Sequence, residues 1–451
     1  MQKKIDLNKE ILKVPCVAEC PAHVDVPGYI ALISAGDYKG AVNLIRKDNP
    51  FPTSCAFVCE HSCEANCRRN RIDSALNIRG LKKFAVDQVS AAQAEVPEPA
   101  ESTGKKIAVV GGGPAGLTAA YYLSLMGHKV VIFEESEALG GMLRYGIPNY
   151  RLPKDRLDED IQAILSTGNI EVHTGVSISK DISMDVFIKE YDAIYIAIGA
   201  QIGKKLCLEG AESRGVYSAL DMLGEISRGN KPDYTGKKVA VIGGGNVAMD
   251  AARSAVRCGA DKVTVVYRRS RDKMSALPEE IEGAIEEGVE LCTMHVPELI
   301  ETDNHGAVTA FYAKSEDGQS VKMVCDIILF AVGQDIMSQP FEAYINDYDK
   351  VFAGGDCVLG PATVIKVIAA AREASVHIDR YLGFCHDPDY AVTVPPAGQN
   401  QRISYERAVI TERCPKERKM DFEGIVNGLS YEEAMLECKR CLRCDRVCRS
   451  V

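Results

Sequence analysis

Between Lys105 and about Tyr381, short Val/Ile runs alternate with longer stretches of helical period. That rhythm predicts strand–helix units and parallel α/β sheets. Ahead of it, stretches such as YIALISAGDYKGAVNLIR predict short helices up to about residue 88. Residues 89–104, VSAAQAEVPEPAESTG, have no apolar period and read as a linker. Beyond the α/β region the chain is punctuated by Pro and Gly through VTVPPAGQNQR, until SYEEAMLECKR predicts a last helix. The expected division is 1–100 (helical domain and linker), 101–228, 229–345, 346–395 and 396–451.

Composition narrows the class. The 451 residues are 46% hydrophobic and 26% charged, as in a globular protein. A formal charge of −10 argues against general nucleic-acid binding, which needs a basic surface. No apolar run is long enough to span a bilayer. The opening MQKKIDLNKEILK lacks the apolar core of a secretory signal, so a cytoplasmic location is expected. In that compartment the seventeen cysteines are not expected to form disulfides.

Ten of them are clustered. Cys16, Cys20, Cys55, Cys59, Cys63 and Cys67 fall in the helical segment, where a spacing of four puts thiols on one helix face. The C-terminal run CKRCLRCDRVC carries Cys438, Cys441, Cys444 and Cys448 at the C-x2-C-x2-C-x3-C spacing of bacterial ferredoxins. Four cysteines also satisfy tetrahedral zinc, so a structural zinc site is the alternative at each cluster. The seven scattered cysteines read as small buried hydrophobes.

The α/β region contains one internal repeat. In KIAVVGGGPAGLTAAYYLSLMGHKVVIFEE, a strand runs into Gly111, Gly113 and Gly116, a helix follows, and a second strand ends at Glu134. These glycines allow a tight turn, close approach of a pyrophosphate and close helix–strand packing, while the acid accepts from a ribose hydroxyl. The second copy, KVAVIGGGNVAMDAARSAVRCGADKVTVVYRRS, repeats this with Gly243, Gly245 and Ala248, but Arg268 and Arg269 replace the acid. Guanidinium groups pair with a 2′-phosphate that an acid would repel, so NADP(H) is favoured over NAD(H). The alternative is a solvated strand end in an unselective enzyme. In VFAGGD, Gly354 and Gly355 permit close backbone approach and Asp356 can accept from a flavin ribityl hydroxyl.

This order of motifs resembles the glutathione-reductase-like flavoproteins with two dinucleotide-binding domains. From Cys16 onward the chain is similar, more closely, to the glutamate synthase small (beta) subunit family. That module is shared with the N-terminal part of dihydropyrimidine dehydrogenase and the large subunit of the bifurcating ferredoxin:NADP transhydrogenase. The carriers are CP at Cys20, NPFPTSCAFVCEHSCEANC, NIRGLKKFA, GGMLRYGIPNYRLP, both glycine loops, YRRSRDKMSALPEE and AGGD. The resemblance implies an α/β flavoprotein with an N-terminal α-helical iron–sulfur domain and a short C-terminal iron–sulfur segment. It implies FAD at Gly111, Gly113, Pro114, Ala115, Gly116, Glu134, Gly141, Met142, Arg151, Gly199, Gly355, Asp356, Ala362 and Thr363. It implies NADP(H) at Gly243, Gly244, Gly245, Asn246, Val247, Arg268 and Arg269, with Gly333 on the nicotinamide side. Two 4Fe–4S clusters are implied for the N-terminal cysteines.

Three departures stand out. Relatives carry a C-x2-C pair ahead of the position of Cys16, whereas here a matching phrase, EAMLECKRCLRCD, lies at the other end. The tail is therefore expected either to hold its own cluster or to supply ligands to an N-terminal one. A Gln or Glu ligand of some relatives aligns with about Lys82, which makes Cys55 the expected replacement. An arginine that holds the 2′-phosphate in dihydropyrimidine dehydrogenase aligns with Ser275, which counts against NADP(H).

The implied chemistry is transfer of electrons from NADPH through flavin into 4Fe–4S clusters, with no side chain needed as acid or base. A thioredoxin-reductase-like disulfide enzyme would need a C-x-x-C or C-x4-C pair, and neither occurs between Gly104 and Phe384. A zinc-stapled scaffold with vestigial nucleotide folds is opposed by the intact glycine loops. The chain is expected to be an electron-transfer subunit of a multi-subunit flavin/iron–sulfur oxidoreductase, electron-bifurcating ones included, with ferredoxin among candidate partners. The alternative is a glutamate synthase (NADPH) small subunit feeding its large subunit.

Overall fold

The computed structural model describes residues 14–89, 93, 96–336, 341–387, 390–396 and 403–447. Among these residues the N-terminal segment forms six α-helices: α1 (Pro15–Glu19), α2 (Val26–Ser34), α3 (Tyr38–Asp48), α4 (Pro52–Val58), α5 (Ser62–Ala65) and α6 (Ile78–Gln88). Three begin with the same device. Asp25, Asp37 and Asn77 accept hydrogen bonds from the backbone N–H of Gly28, Gly40 and Gly80, three residues on, at 3.0, 2.8 and 2.8 Å. Each bond satisfies an N–H that the first helical turn would leave unpaired. Helix α4 has no cap of its own. Asp160 accepts from its Thr53 and Ser54 N–H groups at 3.2 and 2.7 Å, from a distant helix.

The α/β region contains two parallel sheets. The first is ordered β15–β4–β1–β2–β3. Its strands are β1 (Lys106–Val110), β2 (Lys129–Glu134), β3 (Ile170–Thr174), β4 (Ala193–Ile196) and β15 (Val351–Ala353). The second is ordered β6–β13–β7–β8–β9. Its strands are β6 (Val216–Ser218), β7 (Lys238–Ile242), β8 (Lys262–Tyr267), β9 (Glu290–Thr293) and β13 (Ile327–Phe330). A three-stranded antiparallel sheet, β10 (His295–Thr302), β11 (Val308–Ser315) and β12 (Ser320–Val324), covers part of the second. Both passages between the sheets meet in one ribbon, where β5 (Ile202–Gly203) pairs antiparallel with β14 (Gln334–Asp335).

Strands β1 and β7 each run into a glycine loop and a helix, α7 (Pro114–Leu125) after β1 and α9 (Asn246–Arg257) after β7. Between them lies α8 (Lys154–Leu165), which bears Asp160. Strand β15 returns the chain to the first sheet, the long helix α10 (Val364–Tyr381) then packs against α7, and α11 (Tyr431–Arg440) lies in the C-terminal extension.

The inner strands β1, β4, β7 and β13 are apolar, apart from the opening Lys106 and Lys238, because both faces are covered, whereas the edge strands β3 and β9 carry polar, partly exposed residues. A single buried cluster runs from Val24, Tyr29 and Ile45 through Phe84 to Leu117, Ile132 and Ile368, so helical segment and first sheet share one core. Among the described residues no helix is long and apolar enough to cross a membrane.

Candidate functional site

The two glycine loops differ from the N-terminal helices in how their helices begin. Neither α7 nor α9 has a side chain accepting from its first N–H groups. Those groups, at the positive end of each helix, are therefore left for an anion. A methyl group at Gly116 would lie 1.9 Å from Gly111 O, so only glycine allows α7 to sit this close to the loop. In the second loop Gly243, at φ +151°, would put a methyl 2.3 Å from Ala331 O. Both loops thus form bare backbone cradles of the kind a pyrophosphate occupies.

A first cavity opens over the first loop. It is lined by Gly111, Gly113, Pro114, Ala115, Glu134, Gly141, Met142, Arg151, Gly199, Asp356, Ala362 and Thr363. Of the residues expected around a flavin, Gly116 and Gly355 do not line this cavity, although a methyl group at Gly355 would lie 2.7 Å from the Ala115 side chain in its wall. Glu134 already accepts from Gly112 N–H at 2.7 Å and from Ser136 N–H at 2.7 Å, so its carboxylate fixes the loop from the end of β2. Asp356 accepts from Ala362 N–H at 3.0 Å, and burial raises its carboxyl above the usual range. Arg151 lines the cavity, but its guanidinium is spent on Asp250 (2.7 Å) and Glu280 (2.8 Å) of the second α/β half. It joins the halves as well as facing the cavity.

Sequence reasoning missed several walls of this cavity. Asp250 is one, with an Oδ1 that is buried and unpartnered. Four residues beyond Asn246 on α9, it was detectable from helical spacing. Val58 and Glu60, on either side of Cys59, are others, and no local motif marks them.

A second cavity covers the second loop, lined by Gly243, Gly244, Gly245, Asn246, Val247, Arg268 and Gly333. Ser275 is also in its wall. Arg268 and Arg269 are both exposed, and of the two only Arg268 borders the cavity.

The clustered thiols separate into two groups. Cys20, Cys55, Cys59 and Cys63 gather around Lys82, which is only 8% exposed. Burial would push the Lys82 ammonium down, yet Cys59, Cys55, Cys20 and Cys63, in their thiolate form, raise it above its ordinary value. Burial pushes the Cys55 thiol up to about 12, with Cys59 adding to the rise. The other group is Cys16, Cys67, Cys441 and Cys444, which share the wall of a small internal cavity. Cys438 is buried outside that cavity, and Cys448 lies outside the described residues. Tetrahedral zinc with bonds of about 2.3 Å would need thiols about 3.8 Å apart. Among the described residues no three thiols come within 4.8 Å of one another.

The one compact set of metal-type ligands among the described residues, His128, Asp379 and His386, is already hydrogen-bonded internally. Asp379 accepts from both rings, at 2.9 and 2.7 Å, and His128 also meets Thr103. No disulfide joins the described cysteines, and Cys357, next to Asp356, donates to the backbone carbonyls of Ile196 and Gly354.

Comparison with known proteins agrees with this geometry. Residues 105–375 match the pyridine nucleotide-disulphide oxidoreductase family, and residues 10–94 match dihydropyrimidine dehydrogenase domain II, 4Fe-4S cluster. The chain is 33% identical over 513 aligned positions to the NADP(+)-dependent formate dehydrogenase subunit beta of Moorella thermoacetica, covering 97% of this chain and 71% of that protein. It is 34% identical to the NADPH-Fe(3+) oxidoreductase subunit beta of Geobacter sulfurreducens, covering 96% and 75%. Mycobacterium tuberculosis FprA in complex with NADPH shares the fold of the α/β region, with a TM-score of 0.53 at 19% identity over 62% of this chain and 84% of that one. Two glycine-loop cavities, a thiol-rich helical domain and these matches together place the chain in the pyridine nucleotide-disulphide oxidoreductase family, as an FAD- and NAD(P)-dependent member with an N-terminal 4Fe–4S domain.

Proposed function

We propose that the chain takes electrons from NADPH in preference to NADH and hands them through 4Fe–4S clusters to a partner subunit with its own flavin or iron–sulfur centres. One observation carries this reading. The first cavity has Asn246 and Val247 of the second glycine loop in one wall, and Val58 and Glu60, flanking Cys59, in another. Nucleotide cavity, flavin cavity and thiol group therefore follow one another in space.

FAD would be held by the uncapped start of α7 with Gly111, Gly113, Pro114 and Ala115, by Glu134, Gly141 and Met142, and by Gly199, Asp356, Ala362 and Thr363. NADP(H) would be held by Gly243 to Val247, with Gly333 at the inner end and Arg268 at the outer. Bound there, FAD would supply the conversion between two-electron nicotinamide chemistry and the one-electron transfers that an iron–sulfur acceptor requires. The chain's own part is positioning. Glu134 fixes the phosphate loop, and the Arg151 pairs with Asp250 and Glu280 hold the two cavities in register. The first cluster would rest on Cys20, Cys55, Cys59 and Cys63. Lys82 would lie beside them, offsetting the negative charge of the thiolates, as a buried cation can.

Both curated relatives are beta subunits, one of an NADP-dependent and one of an NADPH-oxidising enzyme, which supports a partner subunit and NADP(H) here. Ferredoxin, whose centres are of the same class, is a candidate acceptor. The test is anaerobic titration of the purified holoprotein with NADPH and with NADH, following flavin bleaching and the EPR of reduced clusters. NADPH should reduce both at lower concentration than NADH. Bleaching of the flavin without any cluster signal would sink the proposed route.

A further inference from the structure

We infer that Cys16 and Cys67 from the N-terminal segment and Cys441 and Cys444 from the C-terminal extension bind one 4Fe–4S cluster together. The inference rests on the reading of this chain as a 4Fe–4S electron carrier, and it assigns ligands to the tail, which lies beyond the matched 4Fe–4S domain at residues 10–94.

The four cysteines border one small cavity whose other walls are mostly apolar, Pro15, Pro27 and Ile30 among them. They are also electrostatic neighbours. Cys441, Cys63, Cys67 and Cys444 all lie close enough to Cys16 to act on it electrostatically. Cys63 belongs to the first thiol group, so the two groups adjoin.

The tail is fastened where a ligand would need it. Helix α11 starts with a reciprocal cap between Ser430 and Glu433. At its end the fully buried Arg440 donates to Glu437 (2.6 Å), Asp73 (2.9 Å) and Ser74 O (2.7 Å). Arg69, two residues after Cys67, donates to the same Asp73 (2.8 Å) and to Arg440 O (3.3 Å). One buried ion network thus immobilises the chain beside Cys67 and beside Cys441. Preorganised thiols of this kind hold a metal cluster without a further ordering cost.

Backbone strain falls in the same places. Five described non-glycine residues have positive φ, and three lie two or three residues past a grouped cysteine: His23 after Cys20, His61 after Cys59, and Arg443 after Cys441. Left-handed backbone at such residues costs free energy and persists where the surroundings enforce it, commonly at ligand loops. At Arg443 it turns the chain so that Cys441 and Cys444 meet the same cavity. Cys438, one turn earlier, stays outside, which separates this arrangement from a cluster held by the tail alone.

The experiment is iron, acid-labile sulfide and FAD analysis, with EPR of the reduced protein, on the full chain purified anaerobically. Wild type should hold about eight iron per chain, two 4Fe–4S clusters. Cys441→Ser, Cys444→Ser and Cys16→Ser should each retain FAD, lose about half of the iron and lose the same EPR signal. Cys20→Ser should lose the other signal, and Cys438→Ser should lose neither. Full iron in Cys441→Ser and Cys444→Ser overturns the inference. So does loss of different signals in Cys16→Ser and Cys441→Ser, which would give the tail its own cluster. Wild type without labile sulfide would instead overturn the underlying electron-carrier reading. If the serine variants fail to fold, alkylation of wild type before and after oxidative cluster removal decides. Cys16, Cys67, Cys441 and Cys444 should become reactive together, and labelling of Cys441 or Cys444 in the iron-replete protein overturns the inference.

Discussion

Glu134 and Arg268 occupy corresponding places at the ends of β2 and β8, and their opposite charges set the two cavities apart. The carboxylate suits a ribose with free hydroxyls, and the guanidinium suits a 2′-phosphate. A charge-assisted hydrogen bond contributes about 1.5–3 kcal/mol, a factor of about ten to a hundred in binding. Arg268→Ala is therefore expected to raise KM for NADPH by that factor and leave KM for NADH nearly unchanged, read by anaerobic reduction of a viologen dye. Arg269→Ala should change the NADPH value far less, because Arg269 does not border the cavity. Equal losses for both nucleotides would show Arg268 to be a solvated strand end. The sequence marked both arginines, because a doublet after a strand is visible without a structure. It left them unseparated, because the turn after β8 decides which one faces the cavity. Likewise the clustering of ten cysteines was legible in the sequence, but the grouping of the described ones in space was not, since Cys16 and Cys441 come together only through the packing of α11.

At the scale of single elements, α8 shows what burial does to a helix start. Lys154 is its first residue, where the helix dipole already opposes a positive charge. Its ammonium donates to Leu143 O at 3.1 Å and Ile147 O at 2.5 Å. Burial, then the nearby Arg144, pushes its pKa down to about 7. Below about pH 7 the lysine is charged in folded and unfolded chains alike, and folding bears the full cost of burying it. That cost declines as pH rises toward the ordinary value of 10.5, so this group makes the protein more stable with rising pH across that window. Lys154→Met removes the titration. The Tm of the variant minus that of wild type should fall between about pH 7 and about pH 9.5, whereas a constant difference would show that Lys154 does not titrate there. Helix α11 offers a second test. Arg440→Ala leaves the carboxylates of Glu437 and Asp73 short of a partner in a buried site, which typically costs about 3–5 kcal/mol. The tail beyond Tyr431 should become cleavable by trypsin at concentrations that spare wild type. The elements themselves were largely legible, since apolar strands and glycine loops announce the two sheets. The cap that Asp160 lends to α4 was not, because its partners are more than a hundred residues away.

On the scale of the whole molecule, the second nucleotide-binding half and the C-terminal extension meet at one carboxylate, and the first half joins through that carboxylate's partners. Glu287 is 1% exposed and accepts from Arg253 (2.7 Å), Arg257 (2.6 Å) and Arg418 (2.8 Å), the last from the extension. Arg253 also binds Glu280, the partner of Arg151 in the first half, and Arg257 stacks on the ring of Tyr150 at 3.9 Å. Burial alone would raise the Glu287 carboxyl, but hydrogen bonds from Arg257 and Arg253 hold it down to about 2. A depressed carboxyl stabilises the fold above its ordinary value of 4.5 and loses that contribution as pH falls toward 2. Glu287→Gln leaves three guanidinium groups sharing one neutral side chain, a change expected to cost about 3–5 kcal/mol. Its kinetic signature follows from where the network lies. Neither cavity loses a lining residue, so NADP(H) affinity, measured by quenching or calorimetry, should persist within about threefold. What loosens is the register between the second glycine loop and the flavin cavity, and a misplacement of about 1 Å can cost on the order of a hundredfold in rate. Flavin bleaching by NADPH in stopped flow should therefore slow by at least tenfold while binding holds. Loss of binding in parallel with rate would mean that Glu287 supports only the stability of its own half, and that Arg151 with Asp250 is enough to align the two cavities.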